Sequence, residues 1–115
     1  MKTFTLYDYD FSTYDLQCRM IDLSPAPFSA MTCEVPPGGA SRIHNHAESE
    51  AFFFLEGEGT VRCGNSSTPA RAGQGVVFPP FAEHVIENGS TELARTGRVF
   101  RDGRLHLDWR GVAFD

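Results

Sequence analysis

The chain has little cysteine, no surplus of positive charge and no long apolar run, and each shortage excludes a class of protein. Cys18, Cys33 and Cys63 are odd in number, widely separated and in no C-x-x-C spacing, which fits a reducing compartment better than a disulfide framework. With 10 Lys and Arg against 15 Asp and Glu, the formal charge is −5, which disfavours broad binding to nucleic acid or anionic membranes. No segment approaches the roughly 20 apolar residues that cross a bilayer, and residues 1–8 lack the apolar run of a signal peptide. The expectation is a cytoplasmic protein whose partner is a small molecule, not nucleic acid or membrane. Stretches with convincing helical period are missing as well. At 115 residues the chain suits a single domain with one modest core.

What is present is a series of short β-type runs divided by Gly, Pro, Asn and Asp. The pattern predicts strands over 28–35, 41–46, 50–55, 59–63, 75–78, 83–87, 93–101 and 104–109. Pro36-Pro37-Gly38-Gly39, Gly57-Glu58-Gly59, Gly64-Asn65-Ser66-Ser67 and Asn88-Gly89 supply turns, using residues that fix φ or tolerate its positive values. Asp102-Gly103 fits a tight hairpin turn, after which Leu105, Leu107 and Trp109 alternate with polar residues and point inward, leaving His106 to solvent. Such regular punctuation predicts an all-β sandwich or barrel. Tyr7, Tyr9, Phe11 and Tyr14 lie among aspartates in an N-terminal arm that suits either an edge strand of the same barrel or a homodimer contact.

Three of the four histidines and one carboxylate fall where a metal site would need them. On an extended strand residues i and i+2 share a face, so His44 and His46 can offer two imidazoles to one point. Glu50 opens the apolar run Glu50-Ala51-Phe52-Phe53-Phe54-Leu55, where a buried carboxylate is costly unless a cation neutralises it. His84 is the third imidazole. Three imidazoles and a carboxylate suit one divalent transition metal, Fe, Mn, Ni, Co, Cu or Zn, and leave two open positions in an octahedral shell. Arg42, two residues before His44, is expected on the same face, either holding a substrate anion or reaching the rim and pairing with Glu48. Phe52 and Phe54 share the parity of Glu50, and Ile86 that of His84, so these three line the cavity or fill the core.

The spacing resembles that of the cupin family. Gly38, five residues, His44-x-His46, three residues, Glu50, six residues and Gly57 match its first motif. Gly73, five residues, Pro79, then His84, three residues and Asn88 match its second. One position departs: Phe81 stands where the family prefers glycine. A phenylalanine resists positive φ, so the corner is expected to take a different turn or to lower its ring over the site. The resemblance implies a single cupin domain over 1–115, a jelly-roll barrel (double-stranded β-helix) spanning about 26–110 with an arm at 1–25. It also implies metal ligation by His44, His46, Glu50 and His84. Activity is left open, because the barrel serves many chemistries. The leading expectation is a metal-dependent isomerase or dioxygenase-type enzyme acting on a small anionic metabolite, including natural-product tailoring. The alternatives are a non-catalytic binding cupin, or the cupin partner of a methionyl-tRNA-synthetase-like protein in nitrogen–nitrogen bond formation.

Overall fold

A computed structural model describes residues 1–45 and 49–101, of which 100 and 101 by their backbone only. Among the described residues there are nine strands and no helix: β1 Phe11–Thr13, β2 Leu16–Ile21, β3 Phe28–Val35, β4 Glu50–Glu56, β5 Glu58–Cys63, β6 Ser66–Arg71, β7 Gly75–Phe78, β8 His84–Glu87 and β9 Ala94–Arg101. They form a six-stranded sheet in the order β1-β2-β3-β9-β4-β7 and a three-stranded sheet in the order β6-β5-β8. Every pairing is antiparallel. The result is the all-β jelly roll expected from the punctuation and motifs. No helix of the described residues is long and apolar enough to cross a membrane.

Alternation along the strands decides what lies between the sheets. On β4 Glu50, Phe52 and Phe54 are buried while Ala51 is exposed, and on β8 His84 and Ile86 are buried with Val85 half-buried between them. Leu16, Cys18, Met31, Cys33 and Val35 from one side meet Val61, Ala70 and Ile86 from the other in a shared core. Cys18 and Cys33 are register partners on β2 and β3, with sulfurs 2.6 Å apart and both thiols free. Cys33 serves as a small buried residue of the core.

Two expectations about elements are corrected. The strand over 41–46 does not form in its described part: residues 41–43 run between two isolated bridges, Ala40 to Glu87 and His44 to His84. Those bridges enclose four residue steps on this segment against three on β8, so one extra residue interrupts the alternation. Ser41 bridges the gap by accepting from the Ile86 amide at 2.9 Å and donating its own amide to the Ile86 carbonyl at 2.8 Å. Second, Ser66 and Ser67 open a strand that the turn reading concealed, and Pro69 fits there because β6 is an edge. The N-terminal arm supplies two strands of the larger sheet with β1 at its edge, in keeping with the edge-strand reading. The hairpin expected over 99–109, with Trp109 and His106, continues outside the described residues.

Candidate metal centre

Two imidazoles and a carboxyl group meet inside the barrel. His84 opens β8, Glu50 opens β4, and His44 is held beside His84 by a pair of main-chain bonds, His44 N to His84 O at 3.2 Å and His84 N to His44 O at 2.9 Å. Glu50 is 1 % exposed and His84 2 %. The ring centroids of His44 and His84 are 4.2 Å apart, and His84 Nε2 lies 3.9 Å from Glu50 Oε1. Each imidazole is also backed by an aromatic ring: Tyr14 stacks on His44 at 3.8 Å and Phe78 on His84 at 4.1 Å.

The second nitrogen of each ring settles its tautomer. His44 Nδ1 bonds to the Arg42 carbonyl at 2.8 Å and His84 Nδ1 to the Ala82 carbonyl at 2.9 Å. A carbonyl only accepts, so in the neutral ring the proton sits on Nδ1 and the lone pair on Nε2. Burial outweighs the upward pull of the Arg42 carbonyl and holds the His44 pKa at about 4, so this ring is neutral near pH 7. A ring held by its Nδ1–H and neutral at Nε2 is the form in which histidine binds a transition metal.

The donor set therefore fits a divalent metal in its chemistry. Two donors about 2.1 Å from one ion are at most about 4.2 Å apart, and the His84 to Glu50 separation of 3.9 Å lies inside that span. Among the described residues no group of three or more His, Cys, Asp or Glu side chains is placed so that it could hold a metal ion by itself. His46, the remaining expected ligand, lies outside the described residues.

The expected substrate-facing residues divide. Phe52 lies at the site, 6.0 Å from Phe78 by ring centroids, and Phe54 stands behind it at 5.8 Å. Ile86 is in the core cluster below His84. Arg42 does not share the interior face of His44: its side chain is 67 % exposed and its Nη2 lies 3.0 Å from Asp15 Oδ1. The extra residue between the two bridges is the physical reason, since period-two parity cannot be carried across it.

Two residues at the site escaped the sequence reading. Tyr14 and Asp15 both have positive φ, 49° and 65°, and form the turn between β1 and β2 that sets the Tyr14 ring on His44. Arg98 is the other: it is 2 % exposed, its Nη1 is 3.9 Å from Glu50 Oε2, and its guanidinium carbon is 5.1 Å from the Phe52 ring centroid. It shares its buried face of β9 with Ala94 and Thr96. Phe81 also departs from expectation. It adopts the positive φ directly, at 64°, and its ring is 67 % exposed instead of covering the site.

A sequence profile described as cupin domain matches residues 31–100, more than half of the chain. The chain belongs to the cupin domain family. It is similar to a cupin 2 conserved barrel domain protein from Salinispora arenicola, with a TM-score of 0.79 and 26 % identity over 90 % of this chain and 91 % of that one. It is similar in fold to recombinant oxalate oxidase in complex with glycolate, with a TM-score of 0.68 and 21 % identity over 78 % of this chain and 52 % of that one. An uncharacterized protein of Methanocaldococcus jannaschii is 34 % identical over 55 residues, which are 47 % of this chain and 44 % of that protein.

Proposed function

We propose that this protein is a metal-dependent cupin enzyme acting on a small anionic metabolite, with His44, His46, Glu50 and His84 as the ligands. The observation that carries the reading is the pair of imidazoles whose Nδ1 atoms are fixed by main-chain carbonyls beside a buried Glu50. A bound divalent ion supplies Lewis acidity toward an enolate or carboxylate, and Fe²⁺ would add affinity for O₂. The protein's part is positional. Tyr14 and Phe78 keep the rings from turning, and Phe52 keeps the floor of the site apolar, so that charge on a ligand is felt strongly. The fold resemblance to an oxalate oxidase holding glycolate supports a small acid as ligand.

The test is a turnover screen of small hydroxy and keto acids with and without O₂, read by mass spectrometry. Conversion is expected with metal-loaded protein and should vanish in the metal-free protein and in Glu50→Gln. Binding of these acids with no conversion under any metal would leave a non-catalytic binding cupin.

A further inference from the structure

Arg98 is buried inside the barrel beside Glu50. It lies on β9 in register with Met31 of β3 and Phe52 of β4, so its stem enters the barrel interior between the two strands. Its Nη1 is 3.9 Å from Glu50 Oε2, beyond hydrogen-bonding range, and its Nε and Nη2 have no hydrogen-bond partner among the described residues. A guanidinium keeps its charge at any physiological pH and carries five N–H donors. Burying it with most donors unspent is costly, and a fold that does so gains when a ligand fills them.

Charge identifies that ligand. A divalent ion contributes +2, Glu50 as a carboxylate −1, Arg98 +1, and ligating imidazoles nothing, so the interior carries a net positive charge of about two. A carboxylate brings the opposite sign and two oxygens spaced for a paired N–H contact with a guanidinium. Because Arg98 sits only 3.9 Å from Glu50, a ligand that reaches both the guanidinium and the metal position must be compact. Arg42 does not compete for this role, since it is exposed and engaged with Asp15.

We infer that Arg98 is the substrate-binding residue that receives the carboxylate of a compact hydroxy, keto or dicarboxylic acid, whose second oxygen, one or two carbons away, faces the centre formed by His44, Glu50 and His84. The assignment rests on the metal reading above and adds the class of acid and the residue that selects it.

The experiment compares wild type, Arg98→Met and Arg98→Lys, each loaded with Co²⁺. Metal content is read by elemental analysis, and the visible absorption of Co²⁺ reports titrations with pyruvate, malonate and neutral imidazole. All three proteins should retain one Co²⁺ per chain and bind imidazole within twofold of one another. Pyruvate and malonate should bind at least tenfold more weakly to Arg98→Met, with Arg98→Lys in between because it keeps the charge and loses the fork. Carboxylate affinity within twofold of wild type in metal-retaining Arg98→Met overturns the assignment alone. If Arg98→Met does not fold, Arg98→Lys decides: a fivefold loss for pyruvate upholds Arg98, and an unchanged affinity overturns it. Should wild type take up no metal, calorimetry on the metal-free protein separates the two ideas. Carboxylate binding that depends on Arg98 then upholds this residue and discards the metal reading, whereas no carboxylate binding overturns both.

Discussion

Both imidazoles of the centre are oriented by main-chain carbonyls, so their direction is built into the backbone and side-chain substitutions nearby act through ring packing. Tyr14 provides a clear case, being stacked on His44 at an interplanar angle of 11°. Tyr14→Phe keeps the ring and should leave metal affinity near wild type. Tyr14→Ala removes a stacked pair worth about 0.5–1.5 kcal/mol, so metal affinity should fall severalfold in a competition titration against a chromophoric chelator. Arg42→Ala should leave both metal content and carboxylate affinity within twofold, because its guanidinium faces Asp15 in solvent; a larger loss by either measure would return Arg42 to the site. At this scale His44, Glu50 and His84 could be picked out in the sequence because spacing singles them out. Arg98 could not be, because an arginine in a strand is ordinarily solvent-facing and no spacing rule flags it. Only the burial of its whole strand face, together with the Glu50 carboxylate opposite, reveals its place.

The elements that frame the site are turns as much as strands. Gly57, between β4 and β5, has φ of 79°, and a Cβ there would come within 2.7 Å of the Leu93 carbonyl oxygen. Phe81 occupies the same region of φ without glycine's freedom, which costs about 1–2 kcal/mol. Phe81→Gly should therefore raise the melting temperature, and a lowered one would mean that the exposed ring makes a contact more valuable than the strain. Asn88 fixes the turn between β8 and β9: its amide donates to the Val35 and Glu92 carbonyls at 2.9 and 2.8 Å, and its Oδ1 accepts from the Ser90 amide and hydroxyl. Asn88→Ala leaves the buried Val35 carbonyl without its bond and should cost about 1–3 kcal/mol in urea unfolding. Strands 28–35 and 75–78 were legible to the residue because apolar runs end there at Pro or Gly signals. The extra residue between Ala40 and His44 was not, since a bulge is set by the partner strand and leaves no local mark in the sequence.

At the scale of the molecule, two sheets of unequal size enclose one core, and the site lies where the strands of one meet the other. β4 and β9 are neighbours in the larger sheet and bring Glu50 and Arg98, whereas β8 in the smaller sheet brings His84. The N-terminal arm closes one side by placing Tyr14 against His44, and the Thr32 hydroxyl, bonded to the Leu6 carbonyl, ties the arm to β3. The jelly roll was foreseeable from the two motifs and their turns. The N-terminal arm was legible as a possible edge strand, with Leu16, Cys18 and Met20 alternating with Gln17 and Arg19, but its division into β1 and β2 was not, because Phe11-Ser12-Thr13 is too short a run to stand out.

The central claim is a single metal centre shared by these elements, and elemental analysis after metal loading and desalting tests it most directly. Wild type is predicted to hold one divalent ion per chain, and a His44→Ala, His84→Ala double variant with an unchanged far-ultraviolet circular dichroism spectrum is predicted to hold less than a tenth of that. Wild-type occupancy in the folded double variant, or no metal in the wild type, would contradict the account.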